Sequence, residues 1–197
     1  MFILNNEELE LIQKRKEYSE YINRHKRNIK IAFKKLTDFI SAKYRNLLTS
    51  DEIVTLQEQI LHHDDSKFSE FEFEPYRKHF FPCSFEDKRK YNKEFYDAVL
   101  HHYNNNDHHP QNPSRKEGLN KIACIHNVLD WIAMSYEFND NIWEFYNSSK
   151  VKSILNLEEK AYIEDLIRII KANREYFYDE FSIPEVQHNT SHGEESR

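Results

Sequence analysis

Three histidines of this chain fall among apolar residues at helical spacing. Apolar side chains that recur every three or four residues mark the buried face of a helix. The three runs are Ile22, His25, Ile29 and Ala32; Ile53, Leu56, Ile60 and His63; and Tyr91, Phe95, Ala98 and His102. We therefore predict that His25, His63 and His102 point into a core, whereas the neighbouring His62 and His101 follow polar faces.

Two carboxylates accompany these imidazoles. Asp64 directly follows His63, and Asp130 lies one turn after His126 in the most apolar segment of the chain. Burying a carboxylate is costly unless it is paired with a cation or bound to a metal. Each of these residues alone is more often a hydrogen-bonded core residue. Because four helices each contribute a His or Asp, however, we predict a site for a divalent cation.

The donor types restrict the metal. Neutral imidazole and carboxylate ligands suit one or two ions of Mn, Fe, Zn, Ni, Co or Mg. The two cysteines, Cys83 and Cys124, form no thiolate cluster, which disfavours a structural zinc site. They also favour a reduced, intracellular setting.

The elements that must position these donors are predicted to be helices nearly throughout. One long or once-broken helix covers 7–44, a second starts at Thr49 or Ser50, a third covers 84–103, a buried central helix covers 119–138 and a last one covers 156–178. Segment 68–81 is predicted to be irregular, with a short helix broken at Pro75, and 104–118 is the main loop. The predicted fold is an all-α, single-domain bundle of about six helices over residues 1–183. Its core lies at about 20–146, and 184–197 is predicted to be a disordered tail.

Composition excludes several classes of protein. With 2 Gly in 197 residues, the chain has no glycine-rich phosphate loop, dinucleotide fingerprint or G-x-S-x-G elbow. The net charge of −6 disfavours binding to duplex nucleic acid. No apolar run approaches the roughly 20 residues of a membrane helix, and the charged start is unlike a signal peptide. We therefore expect a cytoplasmic protein that does not enter a membrane, with its oligomeric state open.

The order of the donors resembles the H…HD…D pattern of the HD-domain superfamily. His25 is followed by His63 and Asp64, and much later by Asp130. HDDSK at 63–67 is similar to the superfamily's H-D-x-G-K, with Ser66 in place of Gly. The resemblance implies an all-α, metal-dependent protein, in most members a phosphohydrolase.

A closer resemblance is to an HD-like family of bacteria and phages without an assigned activity. The shared motifs are HDDSKFS at 63–69, EF at 72–73, YR at 76–77, His102 followed by NDHH at 106–109, and DWIAM at 130–134. The similarity covers about residues 20–146. The chain departs from that family at His126, where Glu is expected, so His126 is a ligand, a partner of a ligand or neither.

The superfamily resemblance implies roles for these residues. His25, His63, Asp64 and Asp130 would hold one metal ion, and His102 with His108 or His109 would hold a second. Lys67 would contact a phosphate, Arg77 would grip the same group, and Glu72 would act as general base or orient water. Further phosphate-binding candidates flank the histidine-bearing loop: Arg115, Lys116 and Lys121.

Three functions compete at this point. The leading one is a metal-dependent phosphohydrolase that acts on a nucleotide or related phosphoester through metal-activated water. The second is an oxygenase with two irons, which the extra histidines favour. The third is a non-catalytic module that binds and sequesters a nucleotide.

Overall fold

The fold is all-α. The computed structural model describes residues 5–44, 47–113, 115 and 118–179, and these residues include no β-strand. The helices are α1 (Asn6–Lys43), α2 (Ser50–Leu61), α3 (Phe73–Phe80), α4 (Phe85–Lys90), α5 (Asn92–Asn105), α6 (Lys121–Phe138), α7 (Ile142–Ser148), α8 (Val151–Ile154), α9 (Leu157–Ala172) and α10 (Arg174–Tyr178), with a 3₁₀ turn at Asp65–Phe68. The prediction of a single compact all-α bundle is confirmed.

Helices α1 and α6 form the centre of the bundle. Helix α1 is one unbroken helix of 38 residues, and the Asn5 side chain and Glu8 form a capping box at its start. Its buried face repeats every three or four residues and includes Ile22, His25 and Ile29. Helix α6 is buried on nearly all of its surface, as its apolar sequence predicts. Helices α1, α2 and α9 pack against it, so side chains from separate parts of the chain meet along α6.

A smaller aromatic cluster extends the core beside the first half of α1. It consists of buried residues from α1, α3 and α5: Tyr18, Ile22, Tyr76, Phe95 and Ala98. Helix α3 packs on α5 and on α1, and this contact brings the histidine-bearing end of α5 towards α1. The aromatic side chains of this cluster are therefore part of the packed core.

The structure corrects three predicted element boundaries. Helix α3 runs through Pro75, because this proline lies in the first turn, where no backbone N–H donates within the helix. The predicted helix over 84–103 is two helices, with a break at Tyr91. The predicted last helix ends at Ala172, and Asn173 separates it from the short α10.

Two other expectations concern the ends of the chain and the membrane. Among the described helices, none combines the length and apolar character needed to cross a bilayer. The predicted tail at 184–197 lies outside the described residues.

Candidate metal centre

Separate elements bring imidazoles and carboxylates to one place in the core. Helix α1 supplies His25, the turn after α2 supplies His63 and Asp64, α5 supplies His102, and α6 supplies Asp130. The loop after α5 adds two further imidazoles, those of His108 and His109. The histidines at 25, 63, 102 and 108 are each at most 3% exposed, and so is Asp64. The inward orientation predicted for His25, His63 and His102 is confirmed, and His62 is exposed as predicted.

Four of these residues place one donor atom each around a common point. His25 Nε2 lies 2.9 Å from His63 Nε2 and 3.0 Å from Asp130 Oδ1. The distances from His63 Nε2 to Asp130 Oδ1 and to Asp64 Oδ2 are both 3.5 Å. Metal–ligand bonds of about 2.0–2.2 Å place neighbouring ligand atoms roughly 3–3.5 Å apart. We call His25, His63, Asp64 and Asp130 the first cluster, and its spacing fits one divalent ion.

An unusual backbone conformation allows consecutive residues to serve the first cluster. Asp64 has φ 58° and ψ 19°, in the left-handed region that few residues other than glycine adopt. This turn follows His63 directly. As a result, the His63 imidazole and the Asp64 carboxylate both reach His25, at 2.9 and 3.5 Å. Strain of this kind is concentrated at functional sites.

Both carboxylates of the first cluster remain ionised although they are buried. Burial acts to raise the pKa of Asp64, but His63, Lys67, His102 and His25 outweigh it and hold the pKa well below its usual value. The pKa of Asp130 is also lowered well below its usual value, because its contacts with the His25 and His63 imidazoles outweigh burial. The cluster therefore concentrates negative charge in the core, which a divalent cation would neutralise.

A second group of donors adjoins the first. His102 Nε2 lies 3.3 Å from Asp64 Oδ1 and 2.9 Å from His109 Nε2. Asp64 Oδ1 is buried and has no hydrogen-bond partner among the described residues. Asp64 thus turns Oδ2 to the first cluster and Oδ1 to this second cluster of Asp64, His102 and His109, so its carboxylate would be available to an ion in either cluster.

The structure places both loop histidines in the site. His109 belongs to the second cluster, and His108 Nε2 lies 3.8 Å from Asp130 Oδ2 while its ring stacks on His126. Burial, together with nearby His102, lowers the pKa of His109 to about 3. Burial also lowers the pKa of His108 well below its usual value. Both imidazoles are therefore neutral near pH 7, which is the form that binds metals.

Hydrogen bonds to the other ring nitrogens of His102 and His63 fix the orientation of these possible metal ligands. Glu72 is fully buried, and its Oε2 lies 2.9 Å from His102 Nδ1, which leaves His102 Nε2 free to face Asp64. His63 Nδ1 lies 3.0 Å from His126 Nε2, and His126 Nδ1 lies 3.3 Å from Gln59 Oε1. Because the Gln59 carbonyl only accepts, His126 carries its proton on Nδ1 and accepts the His63 proton at Nε2. The Nε2 atom of His63 then carries a lone pair that faces the first cluster. Metal-binding histidines are commonly oriented in this way by a hydrogen bond at the other ring nitrogen.

His126 therefore orients His63 by accepting a hydrogen bond from it. It can also be grouped with His63 and His108 as a possible set of metal ligands. Its pKa is well below the usual value, because it is buried and close to His108 and His63. A neutral His126 can accept a hydrogen bond. This geometry favours the role of a partner of a ligand among the three roles that the sequence left open.

Lys67 is the cation closest to the first cluster. Its Nζ lies 2.7 Å from Asp64 Oδ2, and its side chain lines a cavity of about 590 Å³ that also borders Asp64, His102, His109 and Asp130. Burial acts to lower the pKa of Lys67, but the attraction of Asp64 outweighs it and raises the pKa well above its usual value. Lys67 thus remains protonated and faces the space that a ligand would occupy.

The structure places several other predicted residues away from the cavity. Arg77 is buried, and its guanidinium binds Glu74 Oε2 at 2.9 Å and the Phe81 carbonyl at 3.4 Å. The geometry does not favour its predicted grip on a phosphate, because these donors are used within α3 and just after it, and Arg77 does not line the cavity.

Arg115 and Lys121 are likewise engaged elsewhere. Arg115 Nη2 lies 2.5 Å from Glu159, and Lys121 Nζ lies 2.8 Å from Glu52. Neither lines the cavity, so direct phosphate binding by these two residues is not supported. Lys116 lies outside the described residues.

Glu72 does not lie where a general base would be expected. Its two oxygens face Ser66, His101 and His102 at 2.7–3.0 Å. Because these contacts surround the carboxylate and it does not line the cavity, the geometry favours a positioning residue for His102 over the predicted general base.

Sequence reasoning missed residues that complete the cavity. Tyr18 lies seven residues before His25 and Tyr21 lies four before it, so helical periodicity could have placed both beside the cluster. Asn127 lies three residues before Asp130 and also lines the cavity. Gln59 gave no signal in the sequence, because its role depends on a contact with His126 across 67 residues.

Comparison with known proteins identifies one family. The model of a family described as "Family of unknown function (DUF5662)" matches residues 14–169, which is most of the chain. The matched range includes all the donors described above. No curated protein and no solved structure matches the chain.

Proposed function

We propose that this chain, which belongs to the family of unknown function DUF5662, is a metal-dependent phosphohydrolase that acts on a nucleotide or related phosphoester. The single observation that carries the proposal is the convergence of two imidazole nitrogens and two carboxylate oxygens beside a protonated lysine. The two imidazole nitrogens lie 2.9 Å apart, each of them lies 3.0–3.5 Å from both carboxylates, and Lys67 Nζ lies 2.7 Å from Asp64.

The residues present fit a divalent ion. Asp64 Oδ1, which faces the second cluster, is buried and has no hydrogen-bond partner among the residues that the structure describes, so this oxygen is available to an ion. His25 can donate one proton from Nε2, but His63 Nε2 and Asp130 Oδ1 both face this atom, at 2.9 and 3.0 Å, and both accept, so one N–H cannot satisfy them. His25, His63, Asp64 and Asp130 would hold this ion, and Asp64, His102 and His109 would take part in holding a second. A divalent ion in such a site lowers the pKa of water and neutralises charge on a phosphoryl oxygen.

The side chains of this protein supply the remaining functions. Lys67 offers a compact positive charge to a phosphoryl oxygen that enters the cavity. Glu72 and His126 hold two imidazoles in the tautomers that leave their Nε2 atoms free. The aromatic walls limit access of bulk water, which strengthens each charge–charge interaction inside the cavity.

The central experiment measures phosphate release by metal-free and metal-loaded protein. Protein stripped with a chelator is reloaded separately with Mn²⁺, Fe²⁺, Zn²⁺ or Mg²⁺ and given nucleotides, sugar phosphates and p-nitrophenyl phosphate. We expect phosphate release with at least one ion, loss of that activity with chelator, and recovery on reloading. If no ion supports phosphate release from any compound, the hydrolase proposal is wrong.

Neighbouring residues provide matched controls. His63→Ala and Asp64→Asn are expected to abolish turnover and to lower the bound metal. His62→Ala and Asp65→Asn change the same residue types one position away, where His62 is exposed and Asp65 pairs with Lys26. These two controls are expected to retain activity. If the control variants lose as much activity as His63→Ala and Asp64→Asn, the loss would be due to disturbed folding and not to lost metal binding.

The second candidate function is oxidative chemistry at two irons. The observation that favours it is a set of six donors around two adjacent points, with Asp64 facing both. The six are His25, His63, Asp64, His102, His109 and Asp130. Two equivalents of iron after anaerobic purification, with oxygen consumption and no phosphate release, would favour this candidate over hydrolysis.

A further inference from the structure

The wall of the cavity carries polar groups that the metal centre does not use. The Asn127 side chain lines the cavity and is 1% exposed, and within the described part of the chain neither its Nδ2 nor its Oδ1 has a hydrogen-bond partner. Gln111 Oε1 lines the same cavity and is likewise buried without a partner. Buried amide groups almost always have partners, so the unpartnered Asn127 amide and the Gln111 oxygen in one cavity call for a ligand.

The position of Asn127 places this polar wall beside the metal centre. Asn127 lies three residues before Asp130 on α6, and residues at that spacing share a face of the helix. Met134 lies four residues after Asp130, and Tyr21 Oη donates to its sulfur at 3.8 Å. Asp130 therefore separates a polar part of the cavity at Asn127 from an aromatic part at Tyr21.

The chemistry of a carboxamide defines what Asn127 can recognise. Its oxygen accepts and its NH₂ group donates, side by side in one plane. The complement is a planar group with an adjacent donor and acceptor, as on the edge of a nucleobase. Tyr103 and Trp131 also line the cavity, and aromatic rings stack favourably on such planar groups.

The charges around the cavity limit how many phosphates it can hold. Among the described residues, its cationic lining side chains are Lys67 and Arg24, and Arg24 is paired with Glu137 at 2.9 Å. Glu137 and Asp140 line the cavity as well. A chain of two or three phosphates would lack further cations and would approach these carboxylates, so the charges favour one phosphoryl group.

We propose that Asn127, with Gln111, binds the leaving group of the substrate, and that this leaving group is the nucleoside of a nucleoside monophosphate. Only the placement of the substrate's phosphoryl group at the metal centre rests on the proposed function; the nucleoside subsite does not. Asn127 is thereby a specificity residue: it selects nucleobases that present a neighbouring donor and acceptor, while Lys67 and the metal centre receive the phosphoryl group.

The test uses nucleosides without phosphate, so that binding is measured apart from hydrolysis. The full chain is titrated calorimetrically with adenosine, guanosine, cytidine and uridine, and with ribose and benzamide as probes that lack a nucleobase. We expect at least one nucleoside to bind, and ribose and benzamide to bind at least tenfold more weakly. Asn127→Leu should weaken the preferred nucleoside by about 5- to 150-fold, the range of one two-hydrogen-bond contact to a base.

Two further variants keep the result interpretable if Asn127→Leu fails to fold. Asn127→Asp preserves the size of the side chain but replaces its donor, and we expect it to change which nucleoside binds best. Asn173→Leu alters an amide that donates to the Ile169 carbonyl and lies outside the cavity lining, so its nucleoside affinity should equal that of the wild type. Circular dichroism establishes that each variant is folded.

The outcomes separate this inference from the proposed function. If no nucleoside binds, or if folded Asn127 variants bind every nucleoside as the wild type does, the subsite is wrong even when p-nitrophenyl phosphate is hydrolysed. Equal affinity for benzamide would overturn the assignment to a nucleobase. If binding depends on Asn127 but no phosphate is ever released, the subsite stands and the hydrolase proposal fails. Faster turnover of nucleoside triphosphates than of monophosphates would contradict the limit to one phosphate.

Discussion

Two regions of this molecule bury carboxylates, and they stabilise the negative charge in different ways. Glu159 on α9 is 4% exposed, and donors of the same chain surround it. Arg115 Nη2 lies 2.5 Å from its Oε1, the Leu119 N–H donates to the same oxygen, and the Asn156 N–H lies 2.7 Å from Oε2. Glu159 therefore joins the loop before α6 to the start of α9 without any external group.

The first cluster buries its carboxylates beside imidazoles instead. His25 and His63 direct their Nε2 atoms to the same point as the two carboxylates, and Asp64 Oδ1 has no hydrogen-bond partner. The comparison teaches how to distinguish the two cases. An acid saturated by N–H donors of its own chain is structural, whereas an acid that shares a point with imidazole lone pairs is arranged for a cation from outside.

The largest expected effect on stability is at the structural acid. Glu159→Gln removes the charge that Arg115 faces, and breaking a buried ion pair costs about 3–5 kcal/mol. Urea unfolding of metal-free protein measures this loss of free energy. Metal affinity should remain within twofold of the wild type, and a loss below about 1 kcal/mol would show that Glu159 is not the structural anchor described here.

The next effect is the response of the first cluster to metal. An ion that binds only the folded state adds about 2.7 kcal/mol to the free energy of unfolding at a free concentration of 100 times its Kd. We expect this rise for the wild type and for Glu159→Gln, but not for Asp64→Asn. Unfolding measured with and without Mn²⁺ or Zn²⁺ tests it, and an equal rise in Asp64→Asn would place the ion elsewhere.

A smaller effect separates the two metal positions. Glu72→Gln weakens the contact that orients His102, and changes of this kind reduce metal affinity by about 10- to 100-fold. Calorimetric titration should show the second ion weakened and the first unchanged, with Glu70→Gln on the exposed surface as the matched control. Equal weakening of both ions would contradict the division into two clusters.

The smallest effect concerns the glycine beside the structural acid. Gly118 has φ +84°, and a Cβ there would lie 2.7 Å from Asn156 Nδ2 and 2.8 Å from Glu159 Oε1. Gly118→Ala is therefore expected to destabilise the protein by about 1 kcal/mol or slightly more. Thermal unfolding measures this change, and a melting temperature equal to the wild type would mean that the contact relaxes at no cost.

Helical periodicity explains which site residues could be predicted. A helix has a fixed rotation per residue, so the spacing of apolar residues shows which way His25 and His102 point. The loop after α5 has no such period, and the choice between His108 and His109 was therefore open until the structure placed both in the site. His126 was ambiguous for a different reason, because an inward direction does not say which neighbour the side chain meets.

Ion pairs within the protein explain why the predicted phosphate contacts are not supported. Arg77 and Arg115 have the right chemistry for phosphate, but Glu74 and Glu159 take up their guanidinium groups. Arg115 and Glu159 are 44 residues apart, so no local pattern connects them. The break at Tyr91 likewise ends a helix that the apolar spacing alone would continue through.

The amino-acid sequence by itself determined the all-α class, the main helices and the inward direction of the donors, because each depends on local periodicity. Only the tertiary structure decided which possible metal ligands lie together, which oxygen of Asp64 faces which cluster, and which charges are already paired. Those properties depend on distances between residues far apart in the chain, and these distances exist only once the helices have packed.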